Sequence, residues 1–170
     1  MVQHLLFLNR SMRYRYLLWL NALVFTFYLA GHLFDIFILV PNWKSGTLED
    51  ISLYNAFFHQ TNPADYFRVI MPVSTGLSVI CFVLFFHRGN PMLILLLISL
   101  LIDIGIDLVT LHYFLPMNEY LFFEQGGELH PERVETYVKS WVTADYLRIA
   151  MIVIGCFASL QAVHFSYKRG

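Results

Sequence analysis

Residues 91–112 read PMLILLLISLLIDIGIDLVTLH, an apolar run whose only two acidic side chains are Asp103 and Asp107. About 20 residues of α-helix cross the hydrocarbon core of a bilayer, so this run has spanning length. Lipid offers no partner for backbone polar groups, and a single apolar segment satisfies them by forming a helix. The run therefore predicts a transmembrane helix that carries two carboxyl groups into the membrane.

Three further stretches of the chain have the same length and character. The predicted spans are residues 16–40, 66–86, 91–112 and 141–165. Asp, Glu, Lys and Arg make up 14% of the 170 residues, compared with about 25% in soluble proteins. We therefore expect one domain, residues 1–170, folded as an all-α integral membrane four-helix bundle. We expect the protein to be surrounded by membrane lipid. Its net charge of −1 gives no reason to expect a nucleic-acid partner.

The ends of the spans carry helix signals. Asn62 and Pro63 supply an N-cap and a first-turn proline before the second span. Pro116 is expected to close the third span, and His130-Pro131 to start a new helix. After that restart, apolar residues recur at helical spacing. They are Val134, Val138 and Trp141.

Basic residues predict the orientation of the bundle, because Lys and Arg concentrate in cytoplasmic loops. Here they cluster at the two termini and in the turn after the second span: Arg10, Arg13, Arg15, Arg88, Lys168 and Arg169. The two longer loops, residues 41–65 and 113–140, are mainly acidic and are expected on the outer side. We therefore expect cytoplasmic termini and a place in the inner membrane of a bacterium.

Ionisable residues inside the spans all fall at a similar depth, counted at about 1.5 Å per residue. They are His32, Asp35, Arg68, Asp103, Asp107, Asp145 and Arg148. All belong to the outer half of the bundle, whereas the cytoplasmic half is expected to be almost purely Leu, Ile, Val and Phe. Charges that face lipid are costly, so these side chains are expected to face each other inside the bundle.

The charge of this cluster is unbalanced. Four aspartates against two arginines leave an excess of two negative charges, which a buried site does not hold unpaired. Shared protons, a protonated His32, or a divalent metal ion held by His32, Asp103 and Asp107 would each remove the excess. Haem is disfavoured, because His32 and His112 differ in depth. A purely structural cluster that locks the helices together stays open as well.

Four different short motifs are spread in order along most of the chain. They are the Gly31–Pro41 end of the first span with Trp43 beyond it, Phe67-Arg68 followed by Pro72, Pro116-x-Asn118, and Trp141 followed by Arg148. On these residues the chain resembles the anthrone oxygenase-like family of small four-helix integral membrane proteins. The resemblance implies a four-helix membrane fold and, for a few members, oxidation of polycyclic anthrones to anthraquinones without an obvious cofactor motif. His32, Asp35, Asp103 and Asp107 lie outside these motifs.

The leading functional hypothesis is a small membrane oxidoreductase or oxygenase that acts on a lipophilic small molecule. His32 would be a base oriented by Asp35, and Arg148 with Arg68 would stabilise an oxyanion. Substrate contacts are expected from Asn118, Trp141 and Asp145.

The alternative is a non-enzymatic membrane subunit whose cluster of Asp, Arg and His is structural or conducts protons. A transporter is a weaker hypothesis, because four helices without an inverted repeat leave little room for alternating access unless the protein forms a homo-oligomer.

Overall fold

The computed structural model describes residues 14–87, 90–123 and 129–168. Its α-helices are α1 (Arg15–Phe34), α2 (Leu48–Phe57), α3 (Pro63–Phe85), α4 (Asn90–Val109), α5 (Leu115–Asn118) and α6 (Pro131–Lys168). A π-helical turn, Asp35–Leu39, and a 3-10 turn, Val40–Asn42, extend α1. Two more π-helical turns, Thr110–Phe114 and Glu119–Phe123, flank α5. No strand occurs in these described ranges, so the all-α prediction is confirmed.

Four helical runs are long and apolar enough to cross a membrane, counted over the described part of the chain. They are Arg15–Asn42, Pro63–Phe85, Pro91–Phe122 and Pro131–Lys168. Each contains one of the four predicted spans or most of it. The cytoplasmic termini and the bacterial inner membrane stay predictions. Of the basic residues on which they depend, Arg10, Arg13, Arg88 and Arg169 lie outside the described residues.

The four long helices form a ring in which α1 and α4 each pack against both α3 and α6. Large apolar side chains face outward, for example Phe37, Val69 and Leu147, which are 68%, 64% and 67% exposed. Charged side chains such as Asp103 and Asp145 are buried instead. This arrangement suits lipid, in which an apolar surface carries no penalty and a charged one does.

The predicted helix starts at Asn62 and Pro131 are confirmed. The side chain of Asn62 accepts a hydrogen bond from the backbone N–H of Ala64, and the backbone N–H of Asn62 donates one to the Asp65 carboxylate. α6 begins at Pro131 and continues without a break to Lys168. The residues expected on its inner face are all buried: Val134, Val138 and Trp141.

The expectation that Pro116 closes the third span is wrong. Helical structure continues past it to Phe123. Pro116 stands in the first turn of α5, directly after the π-helical turn Thr110–Phe114. The π-helical turn before it already departs from regular α-helical hydrogen bonding, so the missing N–H of the proline does not end the helix.

Candidate functional site

A cavity of about 370 Å³ lies inside the outer half of the bundle, by which we mean the half nearest α2. Helices α1, α2, α3 and α6, together with α5 and the π-helical turn that follows α4, contribute to its walls. Among the lining residues are Tyr28, His32, Asp35, Trp43, Tyr54, Phe67, Arg68, Met71, Pro72, Thr110, Leu111, Leu115, Asn118, Trp141 and Arg148. Its volume and mainly apolar lining with a few polar groups are typical of a small-molecule site.

Three walls of the cavity depart from regular α-helix. The π-helical turn Asp35–Leu39 follows α1, Pro72 lies inside α3, and the π-helical turn Thr110–Phe114 follows α4. Each contributes a lining residue. Pro72 has no N–H to donate to the carbonyl group of Arg68 one turn earlier. Single π-helical turns widen a helix and are frequent at functional sites, so the irregular walls set this region apart from the rest of the bundle.

A buried ionic cluster of His32, Asp145 and Arg148 stands beside the cavity. Arg148 donates to Asp145 Oδ1 from Nε at 2.8 Å and from Nη2 at 2.5 Å. The same oxygen lies 3.6 Å from His32 Nδ1, slightly beyond an ordinary hydrogen bond. The guanidinium also stacks on Phe114, with 3.7 Å between Cζ and the ring centroid. One carboxylate and one guanidinium balance each other, so this part of the cluster needs no extra cation.

Several buried polar atoms lack a hydrogen-bond partner among the described residues. They are Tyr28 Oη, both ring nitrogens of His32, Trp43 Nε1 and Asp145 Oδ2. Buried polar groups are nearly always hydrogen-bonded, and each exception calls for an explanation. Tyr28, His32 and Trp43 all line the cavity. Their unpaired atoms are therefore candidate contacts for a bound molecule.

The expected pairing of His32 with Asp35 is not formed. No hydrogen bond or ion pair joins the two side chains, although both lie on α1 or its extension, and Asp145 stands next to His32 instead. The reason is tertiary, because α6 packs against α1 and brings its carboxylate across the interface. Asp35 is 6% exposed and lines the cavity without a hydrogen-bond partner in the described ranges.

The remaining predicted substrate and oxyanion residues lie around the same cavity. Trp141 Nε1 donates to Asn118 Oδ1 at 2.7 Å, and both residues line it. Arg68 lines it too, but its side chain is 70% exposed and pairs with Asp65 at 3.0 Å. Arg68 therefore stands at the rim and Arg148 in the interior.

The predicted metal site of His32, Asp103 and Asp107 is not assembled. Asp103 accepts hydrogen bonds from Ser74 at 2.9 Å and from Ser78 at 2.6 Å, and Asp107 accepts one from Thr75 at 2.7 Å. Hydroxyl groups of α3 thus donate hydrogen bonds to these two carboxyl groups, and neither carboxyl group bonds to His32. Within the described residues, no group of three or more His, Cys, Asp or Glu side chains could hold a metal ion.

Asp103 belongs to a buried chain of hydrogen bonds that joins all four long helices, here called the polar seam: Ser74, Ser78, Asp103, Asn21, Ser159 and Ser99. Ser78 bonds Asn21 Oδ1 at 3.2 Å, Asn21 Nδ2 donates to Ser159 at 3.2 Å, and Ser159 lies 3.0 Å from Ser99. Much of the seam lies in the half nearest Lys168. The expectation of an almost purely apolar cytoplasmic half is therefore wrong, because small polar residues were left out of it.

Sequence reasoning missed Tyr28, Trp43 and Tyr54 as residues of the cavity. Tyr54 lies on α2, outside the four candidate spans, and packs against Trp43 with 6.1 Å between ring centroids. Burial raises the pKa of its hydroxyl, and the Asp35 carboxylate nearby raises it further. Tyr54 is therefore a neutral donor and acceptor at any physiological pH. The sequence signal for these cavity residues was the polar group on each aromatic ring. Tyr and Trp side chains that lie at a membrane–water interface carry the same polar groups, so the signal was ambiguous.

No protein-family model matches the chain, and no curated protein and no solved structure matches it. The geometry of the cavity therefore carries the functional conclusion.

Proposed function

We propose that this protein is a small membrane-embedded enzyme, an oxidoreductase or oxygenase, that removes a proton from a lipophilic substrate in the cavity. The observation that carries the proposal is His32 Nε2, which has no partner within the described structure and belongs to a side chain 1% exposed in the wall of an apolar cavity. A buried imidazole with a free nitrogen beside a carboxylate is the usual arrangement of a general base.

Asp145 takes the role of the orienting group that Asp35 was expected to fill. With a proton on Nδ1 directed toward Asp145 Oδ1, His32 keeps the lone pair of Nε2 free to accept a proton. Asp145 also fixes Arg148 through two nitrogens. Among the described residues, the third guanidinium nitrogen, Nη1, has only a 3.5 Å contact with Thr110, and it is available to a developing oxyanion.

Access from the membrane fits a lipophilic substrate. Leu111 and Leu115 line the cavity and are 52% and 39% exposed, and Arg68, whose side chain is 70% exposed, lines it too. The lining thus continues to the lipid-facing surface between α3 and the extension of α4. A substrate dissolved in the bilayer would reach His32 without passing through water.

The resemblance to anthrone oxygenase-like proteins suggests the reaction. Removal of a ring C–H proton from an anthrone would give an enolate, with the proton on His32 and the oxyanion next to Arg148. Dioxygen would then oxidise the enolate, so that one anthrone and one O₂ become one anthraquinone and one water. This reaction needs no metal ion, and Asp103, Asp107 and Asp145 each already bond to other side chains.

The experiment is turnover of anthrone by the purified protein in lipid nanodiscs, followed by anthraquinone absorbance and oxygen uptake. We expect His32→Ala to lower the rate by about 100-fold or more, the usual contribution of a general base. His112→Ala is the matched control, because His112 is exposed on the outside of the bundle and lines no part of the cavity. Full activity in folded His32→Ala protein would refute the proposal.

A second candidate function, a non-enzymatic membrane subunit, is favoured by the polar seam. Its hydrogen bonds are all internal and cross every long helix, as a structural lock requires. Conduction of protons along the seam is disfavoured, since the Asn21 amide would have to pass through an unfavourable tautomer to relay a proton. A subunit of this kind would show no anthrone turnover, and His32→Ala would change only its thermal stability.

A further inference from the structure

Two tryptophans at one end of the cavity differ in their hydrogen bonding. Trp43 and Trp141 meet edge to face with 5.0 Å between ring centroids. Trp141 donates its indole N–H to Asn118 at 2.7 Å. Trp43 is 1% exposed and its Nε1 has no partner among the described residues. Because an indole N–H can only donate, Trp43 requires an acceptor that this part of the chain does not supply.

The opposite end of the cavity also presents unpaired polar atoms. Tyr28 Oη and His32 Nε2 have no partner in the described ranges, and the two rings lie 5.0 Å apart. His32 precedes Trp43 by eleven residues, which corresponds to roughly 15 Å along a helix. The cavity therefore has one unsatisfied donor at its outer end and a donor and acceptor pair at its inner end.

The cavity wall between these ends is apolar, with Phe67, Met71 and Leu115 among its residues. Its charges oppose an anionic occupant. Arg148 is already neutralised by Asp145. Asp35 adds a carboxyl group without a partner in the described part of the chain. A neutral molecule with an apolar body is the chemistry that this wall accepts.

We propose that the cavity selects a neutral, elongated lipophile with an oxygen function at each end. An inner oxygen accepts from Tyr28 Oη and leaves His32 Nε2 free, while an outer oxygen accepts from Trp43 Nε1. Trp43 is then a specificity-determining residue. This proposal rests on the proposed function, because it takes the molecule in the cavity to be the substrate. Binding measurements alone are enough to test it.

The test compares three rigid probes for binding to the whole protein in nanodiscs by calorimetry. The probes are para-hydroxybiphenyl with a hydroxyl, a methoxy or a methyl group at the para′ position. The hydroxyl and methoxy forms offer Trp43 an acceptor and should bind about tenfold more tightly than the methyl form, since a satisfied buried donor contributes this much. Equal affinity of the three probes would overturn the proposal.

Variants test whether the tighter binding of the methoxy probe depends on the Trp43 indole. In Trp43→Phe, the advantage of the methoxy form over the methyl form should disappear. Trp19→Phe is the matched control and should keep it, because Trp19 lies at the other end of α1 and donates to Tyr167. The same methoxy advantage in Trp43→Phe as in the parent protein would contradict the role of Trp43. If Trp43→Phe does not fold, the comparison of the three probes on the unaltered protein still decides whether the cavity selects an acceptor at its outer end.

The binding test and the turnover test can fail independently of each other. Loss of turnover in His32→Ala together with equal binding of the three probes would refute the two-ended selection and leave the enzyme assignment standing. A methoxy advantage that depends on Trp43, in a protein that does not turn over anthrone, would support the selection and refute the reaction.

Discussion

His32 Nδ1 lies 3.6 Å from Asp145 Oδ1, across the interface between α1 and α6. Both side chains are almost completely buried, at 1% and 0% exposure. Only a packed bundle can bring them together, since they are more than a hundred residues apart in the chain. Their proximity favours the imidazole tautomer with its proton on Nδ1, in which Nε2 is free to accept a proton.

Asp145→Asn should destabilise the bundle strongly. The substitution keeps the shape of the side chain but removes the only carboxylate that pairs with the buried Arg148 in the described structure. An uncompensated buried charge costs about 3–5 kcal/mol. We expect a loss of this size in unfolding by SDS titration, and a loss of probe binding in whatever protein remains folded.

A matched control for this change is Asp65→Asn. Asp65 pairs with Arg68 at 3.0 Å, but both side chains are largely exposed. Exposed pairs contribute about 0–1 kcal/mol. A similar loss in the two variants would show that the Asp145–Arg148 pair has no special role in holding the bundle together.

Asp103 should tolerate an amide better than an apolar side chain. Asparagine can accept from one of Ser74 and Ser78 and donate to the other, so Asp103→Asn should change stability by about 1 kcal/mol or less. Asp103→Leu leaves serine hydroxyls without their partner and should cost about 2 kcal/mol. Thermal unfolding in detergent measures both, and equal stability of the two variants would argue against the polar seam as a lock.

Gly155 should not tolerate a larger residue. A Cβ atom at this position would lie 2.6 Å from Phe25 Cε1 and 3.0 Å from Ile102 Cγ2, where α1, α4 and α6 meet. Gly155→Val should therefore cost about 1–3 kcal/mol through overpacking. Gly76→Ala is the control, since a Cβ there meets no atom within 4 Å. We expect the melting temperature to fall for Gly155→Val alone.

The start of α2 should loosen in acid. Asp50 accepts a hydrogen bond from Ser45 Oγ, and its backbone N–H donates to Thr47 Oγ1 at 3.2 Å. Hydrogen bonding from the side chains of Ser45 and Thr47 lowers the pKa of the Asp50 carboxyl, with Ser45 as the largest cause. A carboxyl with a depressed pKa stabilises the folded form above its unfolded pKa of about 3.9.

That contribution is lost as the pH falls through the depressed pKa of the folded form. Hydrogen exchange of residues 45–52, corrected for its intrinsic pH dependence, should therefore accelerate below this range. Asp50→Asn removes the titrating group and should exchange at a rate that no longer depends on pH. A pH response that persists in Asp50→Asn would assign the effect to another group.

The predictable parts of the structure depend on local signals. Four apolar runs gave the four spans, and Asn62 and Pro131 marked two helix starts, because caps and prolines act within one turn. Pro116 misled, since its effect depends on the π-helical turn before it. Asp35 and Asp103 were correctly expected inside the bundle, but the serine partners of Asp103 were not predictable from spacing along one helix.

By itself the sequence determined that the chain is helical and apolar on its outer surface, and which of its charged residues lie within the four spans. Hydrophobic length and helix caps fix these features without any knowledge of neighbours. Only the tertiary structure decided that His32 meets Asp145, that α3 hydroxyls bond to Asp103 and Asp107, and that the Trp43 N–H has no partner in the described part of the chain. Hydrogen bonds depend on distances of a few tenths of an ångström between helices, and these distances are set by how the whole bundle packs.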